Sequence, residues 1–279
     1  MESTSTIDYL KMLLSFNKTA PITVLSLFFL GLFRLAPIVS LAPFLGAKLP
    51  IPVRIGLAIS LNAVILPHII ATTVEPIGFD AHFIGLALKE VCIGILIALL
   101  VSFPFYIAQG AGVLIDFLRG SSSLMVQDPT MQTQVSPIGI LYNYVLIVLF
   151  FQIDGLFYFL ESLFQSYSLL PTDRMIPPAL FSLKLPLWQT LTELLTQFTS
   201  LSIQFAAPSV IAILMAEAFL GIANRLAPQV QIAFLGMSLK SLIGLAMLWA
   251  GWFFILQQMG KQTLAFLENF IKLLVTMKS

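Results

Sequence analysis

The residues whose types could do chemistry are few in this chain and set far apart. Asp80 and His82 are separated by one residue and could both ligate a metal. Two ligands do not make a site, and a polar loop between helices is the simpler reading. His68 follows Pro67 near the end of an apolar run and is expected to hydrogen-bond there, not to catalyse. The single cysteine, Cys92, begins another apolar run and reads as a small buried residue. A lone cysteine excludes a disulfide framework within the chain and a thiolate zinc cluster. No Gly-x-Ser-x-Gly elbow or phosphate loop occurs. Gly110-Ala111-Gly112 lacks the strand context of a dinucleotide site, so its small residues are expected to let helices approach closely. No catalytic residue, cofactor or metal is therefore assigned.

The informative polar residues are instead those set in apolar sequence. Asp116 and Arg119, three apart, can pair on one helical face, and Gly120 then ends that helix. Asn224, Arg225, Pro228, Gln229 and Gln231 put amide and guanidinium groups where two apolar helices meet. They read either as an exposed hairpin tip or as a polar constriction or subunit contact, because buried amides need partners. Arg34 and Lys240 have apolar sequence on both sides. A charge facing lipid costs about 2.5–3.5 kcal/mol on insertion scales, so both are expected to face protein or water.

The elements that carry these residues follow from composition. Of 279 residues, 58% are hydrophobic and 10% charged, where a soluble domain carries about 25% charge. Fourteen basic and thirteen acidic residues nearly cancel, which argues against nucleic acid as a partner. The class is all-α: a polytopic, membrane-associated set of helical hairpins. Uncharged apolar runs cover residues 55–74, 91–115, 129–153, 194–216 and 241–260, and a sixth, 19–48, is interrupted by Arg34. Lys11 and Lys18 before this sixth run superficially resemble the start of a signal peptide, but Pro43 makes a poor cleavage context, and the run is read as retained. Its first part, 19–33, would span only about 22 Å against a core of about 30 Å, and Pro37 and Pro43 disrupt helical hydrogen bonding. This first segment is thus not expected to be an ordinary span. Pro67, Pro104, Pro208 and Pro228 interrupt other runs, giving about six long apolar segments with proline-broken helices.

These runs divide the chain into an N-terminal tail (1–18), an N-terminal helical part (19–165), a proline-rich connection (166–186), a C-terminal helical pair (187–260) and an amphipathic terminal helix (261–279). Within the second, residues 120–137 form a polar loop rich in Ser, Gln and Pro, with no Lys or Arg. Lys and Arg are spread too evenly over alternate loops to decide orientation. Arg34-Leu35-Ala36-Pro37 and Arg225-Leu226-Ala227-Pro228 are identical tetrapeptides, but a pair of that length does not establish a repeat.

The order of these motifs resembles the SctT/FliR family, the T subunit of the type III secretion export gate and its flagellar counterpart. The resemblance rests on Arg34 to Pro37, Pro43, Gly46, Pro50 and Arg54 to Ala58; on Glu90 with Gly94, Gln109 to Gly112, Asp116, Arg119-Gly120 and Asp128-Pro129; on Gln134-Val135, Gly139 and Asp154-Gly155; and on Asn224 to Gln229, Gly236 and Lys240. The stretch Ile115 to Gly120 is closer to the injectisome branch than to the flagellar one. Ser238 departs from the pattern, standing where many members carry proline. Membership implies a non-enzymatic, multi-pass subunit of the bacterial inner membrane. It would complete a helical pore with R- and S-type subunits, meet a U-type switch protein and pass unfolded secreted substrates. It also implies helical hairpins stacked around that pore, largely raised out of the bilayer plane. The alternative from the residues alone is a secondary transporter with broken helices and intramembrane charges.

The resemblance makes Arg34, Asp116, Arg119, Gly120, Gln127, Asp128, Pro129, Gln132, Asn224, Arg225, Pro228, Gln229 and Lys240 candidate assembly or pore residues. Residues 120–137 are expected to face the translocation path or the closed gate. Their hydroxyl and amide groups exchange hydrogen bonds without fixing one sequence, and Asp128-Pro129 would set a turn. Single cysteines at Ser122, Gln127 and Gln132 in a Cys92→Ser background should crosslink to a stalled substrate bearing one cysteine. No crosslink at any of the three, with reagent labelling equal with and without substrate, would leave an ordinary solvent loop.

Overall fold

Uncharged runs of 15 residues or more favour helix in a membrane-associated chain, because each backbone donor and acceptor can be satisfied within its own segment. The structure, a computed structural model, describes residues 21–46, 49–120, 136–175, 186–226 and 232–276. The described residues form eight α-helices and no strand. In chain order these are α1 (Pro21–Leu41), α2 (Ile51–Thr72), α3 (Ala81–Leu118), α4 (Pro137–Gln152), α5 (Gly155–Leu169), α6 (Pro186–Leu226), α7 (Ile232–Ala250) and α8 (Trp252–Thr276). A short 3-10 turn, Pro43–Leu45, follows α1 and is closed by Gly46 at φ +91°. Four helices are long and apolar enough to cross a membrane, and counting each bent pair as one span gives up to six. The chain is a multi-pass membrane protein by this measure. The tail 1–18, most of the polar loop, residues 176–185 of the proline-rich connection and the tip 227–231 lie outside the described residues.

Two expectations about the helices are corrected. Segment one is a single helix of 21 residues that runs through Arg34 and Pro37, long enough to be an ordinary span. Pro67, Pro104 and Pro208 likewise sit inside continuous helices. A proline removes one backbone donor, and packed neighbours can re-satisfy the freed groups without ending the helix. The breaks fall elsewhere. Asp154, at φ +58°, separates α4 from α5, and Gly251 separates α7 from α8.

The chain divides into two compact units, the first holding residues 1–102, 154–185 and 266–279 and the second residues 103–153 and 186–265. In the first, α1 packs on α2 and α2 on α5. Leu30, Leu35, Ile38, Ile65, Ile69, Phe159 and Leu163 are its buried core, with Phe44 edge-on to Phe159 at 5.2 Å. Asn62 of α2 donates to the Phe28 carbonyl of α1 at 2.8 Å. Gly94 of α3 lies against the Arg34 backbone, where a Cβ would strike the Arg34 carbonyl oxygen. In the second unit, α6 packs on α7, and Phe105 of α3 meets Phe150 of α4 at 5.6 Å. Gly112, in the cluster expected to allow close approach, lies directly against the backbone of Ile138 and Gly139.

Gly94→Leu should therefore separate α1 from α3 and cost about 1–3 kcal/mol, the usual range for overpacking. Gly56→Ala, at a helical position with open space beside it, should be neutral or slightly stabilising. Thermal unfolding in detergent checks both, and equal midpoints for the two variants would contradict the close approach.

Candidate functional site

A guanidinium on an apolar helix must be neutralised and hydrogen-bonded, or leave the membrane. Arg34 is entirely buried and does the former. Its Nε donates to Glu90 Oε2 at 2.5 Å and its Nη2 to Glu90 Oε1 at 3.0 Å, a bidentate pair joining α1 to α3. Nη2 also donates to the Leu170 carbonyl at 2.7 Å, and Nη1 to the Ser166 hydroxyl at 3.2 Å. The Tyr167 ring lies 4.0 Å from the guanidinium carbon, completing the enclosure with a cation–π contact.

Lys89 is the second buried cation. It pairs with Glu90 Oε1 at 2.8 Å and donates to the carbonyls of Pro171 at 2.7 Å and Arg174 at 2.9 Å. Asp173, also buried, accepts from the backbone N–H of Val74 at 2.9 Å and of Glu75 at 3.3 Å. Two cations and two carboxylates thus sit within one apolar interior and tie α1, α3, the α2–α3 turn and the segment after α5. Beside it, His68 Nε2 lies 3.1 Å from the Phe164 carbonyl and 3.2 Å from the Ser168 hydroxyl, the hydrogen-bonding place expected of it. Sequence alone singles out Glu90 only within the family resemblance, and Lys89 and Tyr167 not at all. Their signal was the spacing of Lys89 and Glu90 with Leu86, Ile93 and Ile97, which puts both charges on the buried stripe of α3. Cys92 falls off that stripe and is exposed, correcting its expected burial.

A second constellation closes the base of the polar loop. Arg119 pairs with Asp116 at 2.7 Å, three residues apart, and Gly120 ends the turn at φ +88°. Asp116 also receives the Ser136 hydroxyl and, at 3.0 Å, the Ile138 backbone N–H. Ser136 caps α4 by accepting from Gly139 N–H at 2.9 Å. A carboxylate from α3 thereby serves the N-terminus of α4, where the helix dipole favours negative charge. Gln127, Asp128, Pro129 and Gln132 lie outside the described residues, as do Pro228 and Gln229.

The remaining candidates lie on the α6–α7 hairpin. Asn224 and Arg225 are exposed in the last turn of α6. Lys240 of α7 donates to Glu217 of α6 at 2.6 Å, with Glu217 half-exposed. Arg34, by contrast, is wholly enclosed and presents no charge at a surface. Among the described residues, no three His, Cys, Asp or Glu side chains gather as a metal site.

The model of a family described as bacterial export proteins, family 1, matches residues 25–265, which takes in the Arg34–Glu90 pair, the Asp116 cap and the α6–α7 hairpin. This chain belongs to that family. It is 34% identical over 202 residues to the secretion system apparatus protein SsaT of Salmonella typhimurium strain LT2, covering 71% of this chain and 74% of the relative. Identity to the Yop proteins translocation protein T of Yersinia pestis is 30% over 218 residues, with 77% and 79% coverage. The flagellar biosynthetic protein FliR of Escherichia coli K12 is 26% identical over 229 residues, covering 80% and 83%. The resemblance to the SctT/FliR family is thus confirmed, with higher identity to these two secretion proteins than to this flagellar one.

Glu90→Gln removes the charge that both Arg34 and Lys89 share and should cost about 3–5 kcal/mol, as breaking a buried ion pair does. Arg34→Leu with Glu90→Leu should cost less than the sum of the two single changes, because neither then strands the other. Unfolding midpoints of the two single variants and the double that simply add would remove the coupling.

Proposed function

We propose that this chain is a non-enzymatic structural subunit of the inner-membrane export gate of a type III protein secretion system. In this reading it completes a pore with R- and S-type subunits, meets a U-type switch protein and passes unfolded substrates. The carrying observation is the family match across both units, from residue 25 to 265, together with relatives named for secretion, Yop translocation and flagellar biosynthesis.

The geometry supports a scaffold. Arg34, Lys89, Glu90 and Asp173 hold one another and the backbone, so their charges serve the interior of the first unit. Large apolar side chains are meanwhile exposed along α6 and α7, including Met215, Phe219, Leu226 and Leu242. Such faces suit lipid or neighbouring helices. Asn224 and Arg225 then offer an exposed amide and cation to a neighbouring subunit or to water. Residues 120–137 take the path-facing role given them above, with Asp116 holding the base. The transporter reading needs discontinuous helices around a midplane site, whereas the intrahelical prolines here leave α1, α2, α3 and α6 continuous. Uptake of a small solute by the chain alone in liposomes would favour that reading.

Co-expression of the tagged chain with candidate R- and S-type subunits from neighbouring genes should yield a co-purifying complex more heat-stable than the chain alone. A monodisperse, equally stable monomer that ignores those subunits would count against the assembly role. Within the complex, Arg225→Glu and Lys240→Glu should each lower recovery and secretion, the second by also repelling Glu217. Normal assembly and export in both would remove these two residues from the interface.

A further inference from the structure

We propose that the elbow between α7 and α8 is a lipid-interface anchor, with Trp249, Phe253 and Phe254 seated at the headgroup level of a phospholipid bilayer. This inference concerns how the chain meets lipid and does not rest on the export role.

The elbow is built at Gly251. Its N–H still donates to the Met247 carbonyl at 2.9 Å, and its own carbonyl accepts from Ile255 at 3.1 Å, so the backbone stays hydrogen-bonded through the bend. The axes of the two helices nevertheless differ by 62°. Trp252 turns inward, its ring 6.2 Å from that of Tyr142 on α4. Ile255, Met259 and Thr263, at a spacing of four, bury the inner stripe of α8. These contacts fix the direction of the three outer aromatic side chains. Trp249 is 82% exposed, Phe253 71% and Phe254 72%.

The outer surface changes character in one direction along the chain. On α7, Leu242, Leu245 and Met247 are exposed and apolar, as a hydrocarbon-facing helix requires. The three aromatic side chains follow at the elbow. On α8 the exposed positions are then Gln257 and Lys261, an amide and a cation, followed by the small Ala265. Apolar, aromatic, then polar and cationic is the order met on leaving a bilayer, since aromatic rings concentrate at the interface and lysine reaches beyond it towards anionic headgroups. With α7 as the embedded arm, α8, bent from it by 62°, runs nearer the membrane plane than its normal, the setting for an amphipathic interfacial helix. The occupant of this surface is therefore lipid, its charge complement being anionic headgroups opposite Lys261. The Lys240–Glu217 pair, nine residues before Trp249, would lie about 14 Å deeper, where charges are tolerated as mutual partners.

The test uses the full chain with Trp188→Phe and Trp252→Phe, leaving Trp249 as sole tryptophan. It is reconstituted in phosphatidylethanolamine–phosphatidylglycerol vesicles with bromine labels either near the headgroup or near the acyl-chain end. Loss of Trp249 emission with the shallow label and little loss with the deep one is expected. Stronger loss with the deep label, or none with either, overturns the proposal. A second measurement avoids the tryptophan changes: Leu245→Cys and Gln257→Cys in a Cys92→Ser background, probed with an impermeant maleimide in opened native membranes. Labelling at position 257 and protection at 245 support the anchor. Equal labelling at both positions, or protection of 257, overturns it, the latter assigning the surface to a protein neighbour.

Discussion

A guanidinium and a carboxylate, each wholly excluded from solvent, hold the first unit in register. Arg34 sits two-thirds of the way along an apolar helix, where an unpartnered cation would keep α1 out of the membrane. Glu90 on α3 reaches both Arg34 and Lys89 with its single carboxylate. Once that carboxylate is placed, the remaining donors of both cations reach the carbonyls after α5, and α5 follows. The hydrophobic contacts among α1, α2 and α5 supply most of the burial, but they are non-directional. The bidentate pair is directional, and it selects one axial setting of α1 against α3.

The second unit is organised differently. Its directional contacts link separate points: Asp116 at the start of α4, the Ser202 hydroxyl of α6 donating to the Ile107 carbonyl of α3 at 3.2 Å, and Lys240 with Glu217 between the arms of the α6–α7 hairpin. Around them, small residues and aromatics decide how near the helices come. Gly112 against Gly139 lets two backbones touch, and Phe105 packs against Phe150 between the same two helices. An apolar core of this kind tolerates proline inside its helices because length and packing, not unbroken hydrogen bonding, set where a helix ends.

The all-α class and the number of apolar segments were legible from composition and run length alone. So was the pairing of Asp116 with Arg119, since a three-residue spacing on a helix puts both on one face. What sequence could not locate was the partner of Arg34, because 56 residues separate it from Glu90 and no local pattern links them. Proline misled for a related reason. Its effect on an isolated helix is a break, whereas here tertiary neighbours decide, and the bends occur at Asp154, whose Asp-Gly dipeptide is a turn signal of its own, and at Gly251, an isolated glycine within an apolar run. The two identical tetrapeptides show the limit most plainly: Arg34 is sealed in a core, and Arg225 is exposed at a helix end. The same four residues acquire opposite surroundings from what lies elsewhere in the chain.

The cap that Asp116 provides has a consequence for how such a chain can vary. Because one carboxylate on α3 holds both Ser136 and Ile138, the two ends of the intervening stretch are fixed by the helices themselves and not by the stretch. The entropy of closing a chain between fixed ends grows only with the logarithm of its length, about 0.6 kcal/mol for each doubling. The start of α4 is thus set from α3 through Asp116 itself, and a change of chain length after residue 120 does not by itself move the place where α4 begins.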